Sequence, residues 1–183
     1  MTRRKFETCS GAPCLDLVDT VADRSGCATE LLAGAADLDK WFGVVFGDLG
    51  LDVLSSSADL QAATELREAI YCGASARLKG EVPAADDTAI INRFAQLPQP
   101  VPQLVEGKVV YTAISVVQSF FSLLATDAIR CLSHNNMARL RSCPECRMIF
   151  FDNSRPGRRV WCSSAKGCGN RAKVRRHRAR KAE

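Results

Sequence analysis

The sequence predicts a mainly α chain with a small β-hairpin or sheet (α+β), followed by a small zinc-ribbon-like module that ends in a basic helix. Three observations predict it. Helical apolar periodicity recurs up to residue 136 with one short β-prone interruption, four cysteines cluster within residues 143–168, and the charge changes sign along the chain. Residues 1–138 carry 11 Lys/Arg against 17 Asp/Glu, net −6, and residues 139–183 carry 14 against three, net +11, which sums to the formal +5. An acidic body with a basic arm suits a polyanionic partner. The expected division is 1–136 and 137–183. With 46% hydrophobic and 25% charged residues in 183, disordered and collagen-like chains are excluded.

Pro13 suits a first helical position, and Cys14, Leu15, Leu17, Val18 and Val21 form an apolar stripe, so a helix is expected over about 12–22, closing near Ser25-Gly26. Asp37, Leu38, Trp41, Phe42 and Val45 predict a second, up to Gly47. Ser55-Ser56-Ser57 offers N-caps to a longer helix lined by Leu60, Ala63, Leu66, Ile70 and Ala74, stopping at Lys79-Gly80. Pro83 opens a fourth, with Ile90, Ile91 and Phe94, which must end before Pro98; Pro98, Pro100 and Pro102 form a linker or edge.

Leu104-Val105 and Val109-Val110-Tyr111 flank Glu106-Gly107-Lys108 as a hairpin turning at glycine. Ile114, Val117, Phe121, Leu124, Ala128 and Cys131 then mark an apolar helix suited to the centre of the core, ending at His134-Asn135-Asn136.

Cys143-Pro-Glu-Cys146 and Cys162-Ser-Ser-Ala-Lys-Gly-Cys168 are two close pairs separated by 15 residues, the spacing of one tetrahedral Cys₄ site for a single structural Zn²⁺. Iron and an oxidoreductase CxxC pair are the alternatives. Between the pairs, Met148–Phe151 and Val160-Trp161 are β-prone, and Asn153-Ser-Arg-Pro-Gly157 is turn chemistry, which predicts a hairpin of those two runs. A module of this size has too little core to fold without its metal. Cys9, Cys14, Cys27, Cys72 and Cys131 read as core thiols, a second metal site from Cys9, Cys14 and Cys27 being the alternative.

Beyond Cys168, Asn170 reads as an N-cap and residues 171–182 as a helix with seven Lys/Arg in the eleven residues 171–181. Arg171, Arg175, Arg178 and Lys181 or Ala182 share one face, Lys173, Arg176 and Arg180 another. Such a helix fits the major groove of duplex DNA, with Arg155, Arg158 and Arg159 on the hairpin tip gripping the neighbouring backbone. RNA, or an acidic protein partner, is the alternative. His134 and His177 are not expected to bind metal, and His177 is read as contacting phosphate or facing water.

The stretch Cys143-Pro-Glu-Cys146, Phe151-x-Asn-Ser-Arg155, Arg159-Val-Trp-Cys162 and Cys168-Gly-Asn-Arg171-Ala-Lys closely resembles the CGNR zinc finger family. Cys14-Leu-Asp-Leu-Val-Asp-Thr20, Glu30-Leu-Leu, Asp37-Leu-x-x-Trp41 and the helical succession resemble the ABATE domain that commonly precedes that finger. The resemblance implies a bacterial stress-linked transcription regulator, with a mainly helical N-terminal domain and a zinc module assigned to DNA binding. Two positions depart from the family pattern: Asp19 stands where Asn is more common, and five residues separate Cys162 from Cys168 where four are usual. Gly167 can absorb the extra residue.

No catalytic residue is assigned, because four thiolates close the metal site and neither histidine has a nucleophile or carboxylate motif nearby. The larger N-terminal domain is suited to sensing a small-molecule effector. Asp16, Asp19, Thr20 and Arg24 are the polar residues that would line its pocket, but Asp16 and Thr20, at i and i+4, read better as capping and hydrogen bonding on a helix surface, and no ligand is assigned. No run approaches the ~18 apolar residues of a membrane span, and Met1-Thr-Arg-Arg-Lys-Phe-Glu7 has no apolar stretch behind its basic residues. A cytoplasmic protein without membrane contact is expected, its nine cysteines reduced. Palindromic half-sites would imply a dimer, but the sequence carries no sign of the oligomeric state.

Overall fold

The computed structural model describes residues 6–163 and 166–182. The basic start at 1–5 and Glu183 lie outside the described residues. Helices α1 (Pro13–Val18), α2 (Ala35–Phe46), α3 (Ser57–Leu78), α4 (Ala85–Ala95), α5 (Val116–Leu132) and α6 (Cys168–Ala182) are joined by three two-stranded antiparallel sheets. These are β1 (Val21–Ala22) with β2 (Thr29–Glu30), β3 (Val101–Val105) with β4 (Lys108–Thr112), and β5 (Leu140–Ser142) with β6 (Ile149–Phe151). The architecture is α+β. Among the described residues no helix is long and apolar enough to cross a membrane.

Helix α3 starts where serine chemistry allows: the Ser56 hydroxyl accepts from the Asp59 amide, and the Asp59 carboxylate accepts from the Ser56 amide. Its buried face of Ala63, Leu66, Ile70 and Ala74 meets α1, α4 and α5. Phe46 of α2 stacks on Phe120 of α5 at a centroid distance of 4.7 Å, Phe42 meets the same ring at a tilt at 5.0 Å, and Phe121 receives Phe94 of α4 edge-on at 5.5 Å. Leu140, Ile149 and Phe151 belong to this same core, so the sheet that carries the cysteine cluster packs directly on the helices.

Three elements before α6 differ from the sequence reading. Helix α1 ends at Val18 instead of running to about 22. The Thr20 hydroxyl caps the Leu17 carbonyl at 2.7 Å and accepts from Arg67 at 3.0 Å, while Arg24 reaches the Val18 carbonyl. These bonds take the carbonyls that a longer helix would need, and Val21-Ala22 pairs instead with Thr29-Glu30. The β3–β4 hairpin is longer than expected and includes Pro102, which is tolerated because both strands of a two-stranded sheet are edges. Its two-residue turn, Glu106-Gly107, has φ of 49° and 77°, the signs of a type I′ turn.

The third difference concerns the expected pairing of Met148–Phe151 with Val160-Trp161. Strand β6 pairs with Leu140–Ser142, and on its other side the Phe151 amide donates to the Ser10 carbonyl at 2.6 Å. Val160 and Trp161 join no ladder. The Asp152 carboxylate accepts from the amides of Ser154 and Arg159, and the Arg159 guanidinium donates to the Trp161 and Cys9 carbonyls. Side chains therefore fix this segment where a ladder was expected.

Buried charge ties α1, β2 and α3 together. Arg67, only 3% exposed, donates twice to Glu30 at 2.8 and 2.7 Å and once to Glu68, whose carboxylate also receives a two-bond pair from Arg24. Arg24 lies over the Tyr71 ring at 4.3 Å.

Candidate metal centre and basic helix

Strand β5 delivers Cys143 into a tight reversal. Arg147 adopts the left-handed conformation at φ 61°, its amide donates to the Cys143 carbonyl, and the Cys143 amide donates to the Met148 carbonyl, both at 2.9 Å. This knuckle aims Cys143 and Cys146 at Cys162 and Cys168. All four Sγ atoms lie within 4.8 Å of one another, and Cys162 Sγ is 3.6 Å from both Cys146 Sγ and Cys168 Sγ. A disulfide needs about 2.05 Å. A tetrahedron of thiolates at about 2.3 Å from a central ion has edges of about 3.8 Å, so the spacing suits ligands.

The donors are set for negative charge in sequence. Burial raises the Cys143 thiol, but the amides of Cys146, Cys162 and Glu145 donate to its sulphur and together hold it lower, at about 7. Burial pushes Cys146 up to about 12 and Cys162 above the ordinary thiol range, with the neighbouring sulphurs adding to the rise at Cys162. Four thiols this close ionise together only with a cation between them. Cys168 opens α6, where the helix dipole favours a thiolate, and Arg171 donates to its sulphur at 3.0 Å. Met148, Phe150 and Trp161 pack around the cluster. The set fits a closed, four-coordinate metal site.

Helix α6 begins at Cys168, two residues before the expected cap, with the Arg171 amide bonded to the Gly167 carbonyl. Gly167, at φ 64°, makes the turn that enters it. Asn170 is therefore inside the helix and exposed, and it makes no side-chain hydrogen bond among the described residues. Gly169 has no side chain for a reason of space: a Cβ there would sit 3.0 Å from the Trp161 indole.

The basic residues divide into two groups. Arg175 makes a two-bond pair with Glu145, Arg171 approaches the same carboxylate and donates to the Lys166 carbonyl, and Arg159 is held by backbone carbonyls and lies over Phe150. Arg155, Arg158, Lys173, Arg176, Arg178, Arg180 and Lys181 are exposed and have no acidic partner among the described residues. Glu145 escaped the sequence reading, although an acid in so basic a region needed a partner close by.

Of the four residues read as a pocket, Asp19 and Arg24 line a cleft of about 600 Å³ between α1 and the knuckle, together with Cys146, Met148 and Lys166. Lys166 bridges Asp19, at 3.0 Å, and Glu7, a link the sequence did not suggest. Asp16 and Thr20 lie outside this cleft. Asp16 accepts from the Ser10 amide and Thr20 serves Arg67. Cys9, Cys14 and Cys27 do not converge: Cys14 lies beside Cys131 and Asp127, Cys9 packs against the four-cysteine cluster, and Cys27 is exposed. Burial raises the Cys14 thiol well above its ordinary value, which suits a core thiol.

Two family models match the chain. Residues 11–135 match ABATE, described as "Putative stress-induced transcription regulator", and residues 139–181 match the CGNR zinc finger. Neither is an enzyme family. No protein of curated function matches the chain.

Proposed function

We propose that this chain, which belongs to the ABATE family and carries a CGNR zinc finger, is a zinc-dependent regulator that binds duplex DNA through α6. Cys143, Cys146, Cys162 and Cys168 hold one Zn²⁺, whose part is structural: it fastens the knuckle to the start of α6. The observation that carries the reading is the unneutralised row of Lys173, Arg176, Arg178, Arg180 and Lys181 on a helix anchored by a ligand, with Arg155 and Arg158 beside it. A nucleic-acid phosphate backbone is the partner that such a row attracts.

Binding of a mixed-sequence DNA duplex at several salt concentrations tests this. The intact protein is expected to show a steep negative slope of log affinity on log salt, near −0.9 per phosphate neutralised, and a variant with Lys173, Arg176, Arg178 and Arg180 changed to Gln a shallower one. Zinc content should be equal in the two. Equal slopes, or no duplex binding by a zinc-loaded protein, would overturn the reading and direct the search to RNA hairpins and acidic proteins.

The N-terminal domain is the sensing part in this proposal. Its cleft of about 600 Å³ has the size of a small-molecule site and shares a wall with the knuckle, so an effector there acts on the finger through Lys166 and Met148.

A further inference from the structure

Helix α6 has one face turned to the protein and one turned away. Ala172 is buried at 6% exposure and Cys168, one turn earlier, is fully buried, while Arg171 and Arg175 reach Glu145 of the knuckle. At 3.6 residues per turn, Asn170, Val174, His177 and Lys181 fall on the opposite side. Two of them do not fit a helix made only for phosphates. Asn170 carries no charge, has no hydrogen-bond partner among the described residues and caps nothing, and Val174 leaves 43% of its surface in water amid basic residues.

We infer that Asn170 and Val174 are the residues that read DNA sequence, Asn170 through the N6 and N7 edge of an adenine and Val174 through the C5-methyl of a thymine. The inference rests on the duplex-binding reading of α6. Charge complementarity selects the occupant of this face, since Lys173 and Arg178 flank it with no acidic partner among the described residues and meet phosphates on either side. An asparagine amide presents one donor and one acceptor side by side, the complement of adenine in the major groove, and an exposed aliphatic group in the groove is matched by the thymine methyl. One helical turn separates the two residues, about 6 Å of rise, close to two base-pair steps of about 3.4 Å. Their place near the start of the helix is where groove-bound helices contact bases. The inward pairs of Arg171 and Arg175 with Glu145 fix the rotation of the helix that presents this face.

The test is selection by the full-length, zinc-loaded protein from a duplex library with a randomised core, followed by binding of Asn170→Ala and Val174→Ala to the selected duplex and to a mixed-sequence duplex. Selected sites should contain an adenine and a thymine about two steps apart. Asn170→Ala should lower the selected-to-mixed affinity ratio by roughly 5- to 100-fold, with the salt slope and mixed-sequence affinity kept. Replacing the selected thymine by deoxyuridine, which removes only the methyl, should weaken the parent and leave Val174→Ala unaffected. If the parent selects a sequence and both variants keep its ratio, the inference falls while the DNA reading stands. If the parent binds no duplex at any salt, both fall.

Discussion

Glu145 and Arg175, thirty residues apart in sequence, close on each other through two hydrogen bonds of 2.9 and 2.6 Å. The pair joins the cysteine knuckle to the basic helix beyond the metal ligands themselves, and it neutralises one base of that helix.

Glu145→Gln is expected to strengthen mixed-sequence duplex binding and steepen its salt slope, because Arg175 then becomes available to phosphates, while Arg171 stays on the Cys168 sulphur and the Lys166 carbonyl. Thermal stability should barely change, as ion pairs open to water contribute little. Salt titrations of the two proteins read the difference, and an unchanged slope would mean that Arg175 stays turned toward the knuckle.

Removal of the metal is expected to disturb more than the finger. Leu140, Ile149 and Phe151, on the strands that flank the knuckle, sit in the helical core, so chelation or Cys143→Ser should lower the melting temperature of the whole chain. Calorimetry with and without a chelator checks it. A separate transition for the finger, with the helical one unmoved, would contradict the shared core.

Gly11 adopts φ 83°, and a Cβ there would lie 2.3 Å from the Phe151 carbonyl oxygen. Gly11→Ala should therefore destabilise the protein by roughly 1–3 kcal/mol, since the contact atom is backbone and must shift. Gly43, with open space around its Cβ position, is the control: Gly43→Ala should stabilise or be neutral. Denaturant midpoints of the two variants decide it.

Burial, with Asp127 nearby, pushes the Asp16 carboxyl up to about 6 in spite of the Ser10 amide that donates to it. The folded state thus holds this proton more tightly than the unfolded chain, whose value is about 4. Its contribution to stability is full below that unfolded value and is lost as pH rises through 6, to a total of about 3 kcal/mol. Asp16→Asn should remove this slope between pH 4 and 6, read from unfolding midpoints across that window.

Helix α3 can be read from local chemistry because serine caps, an apolar stripe and a defined end coincide, and α5 because its apolar stripe is long, although Ile114, counted in that stripe, lies before the helix and is exposed. The four cysteines were equally plain, since ligand spacing is a property of the chain itself. The end of α1 was not, because it depends on Arg67, 47 residues past Thr20, and no local pattern separates a stripe that ends at Val18 from one that reaches Val21. The partner of β6 is hidden for a similar reason: Val160-Trp161 has the stronger strand composition, but Leu140–Ser142 is what the knuckle turns back upon. Asn170 has the local signature of a cap because asparagine commonly is one, and only the helix start at Cys168 frees it for another use.

The segment just before α1 has a consequence for any attempt to transplant the finger. Arg159 and Asn153 donate to the carbonyls of Cys9 and Gly11, Phe151 donates to Ser10, and Lys166 pairs with Glu7, so a stretch from the opposite end of the chain completes the finger's outer edge. A fragment cut to the CGNR match at 139–181 would leave strand β6 open along one side and Phe151 in water. Grafted onto another protein, the finger would have to bring residues 6–18 with it, as a second, discontinuous piece, to keep its shape.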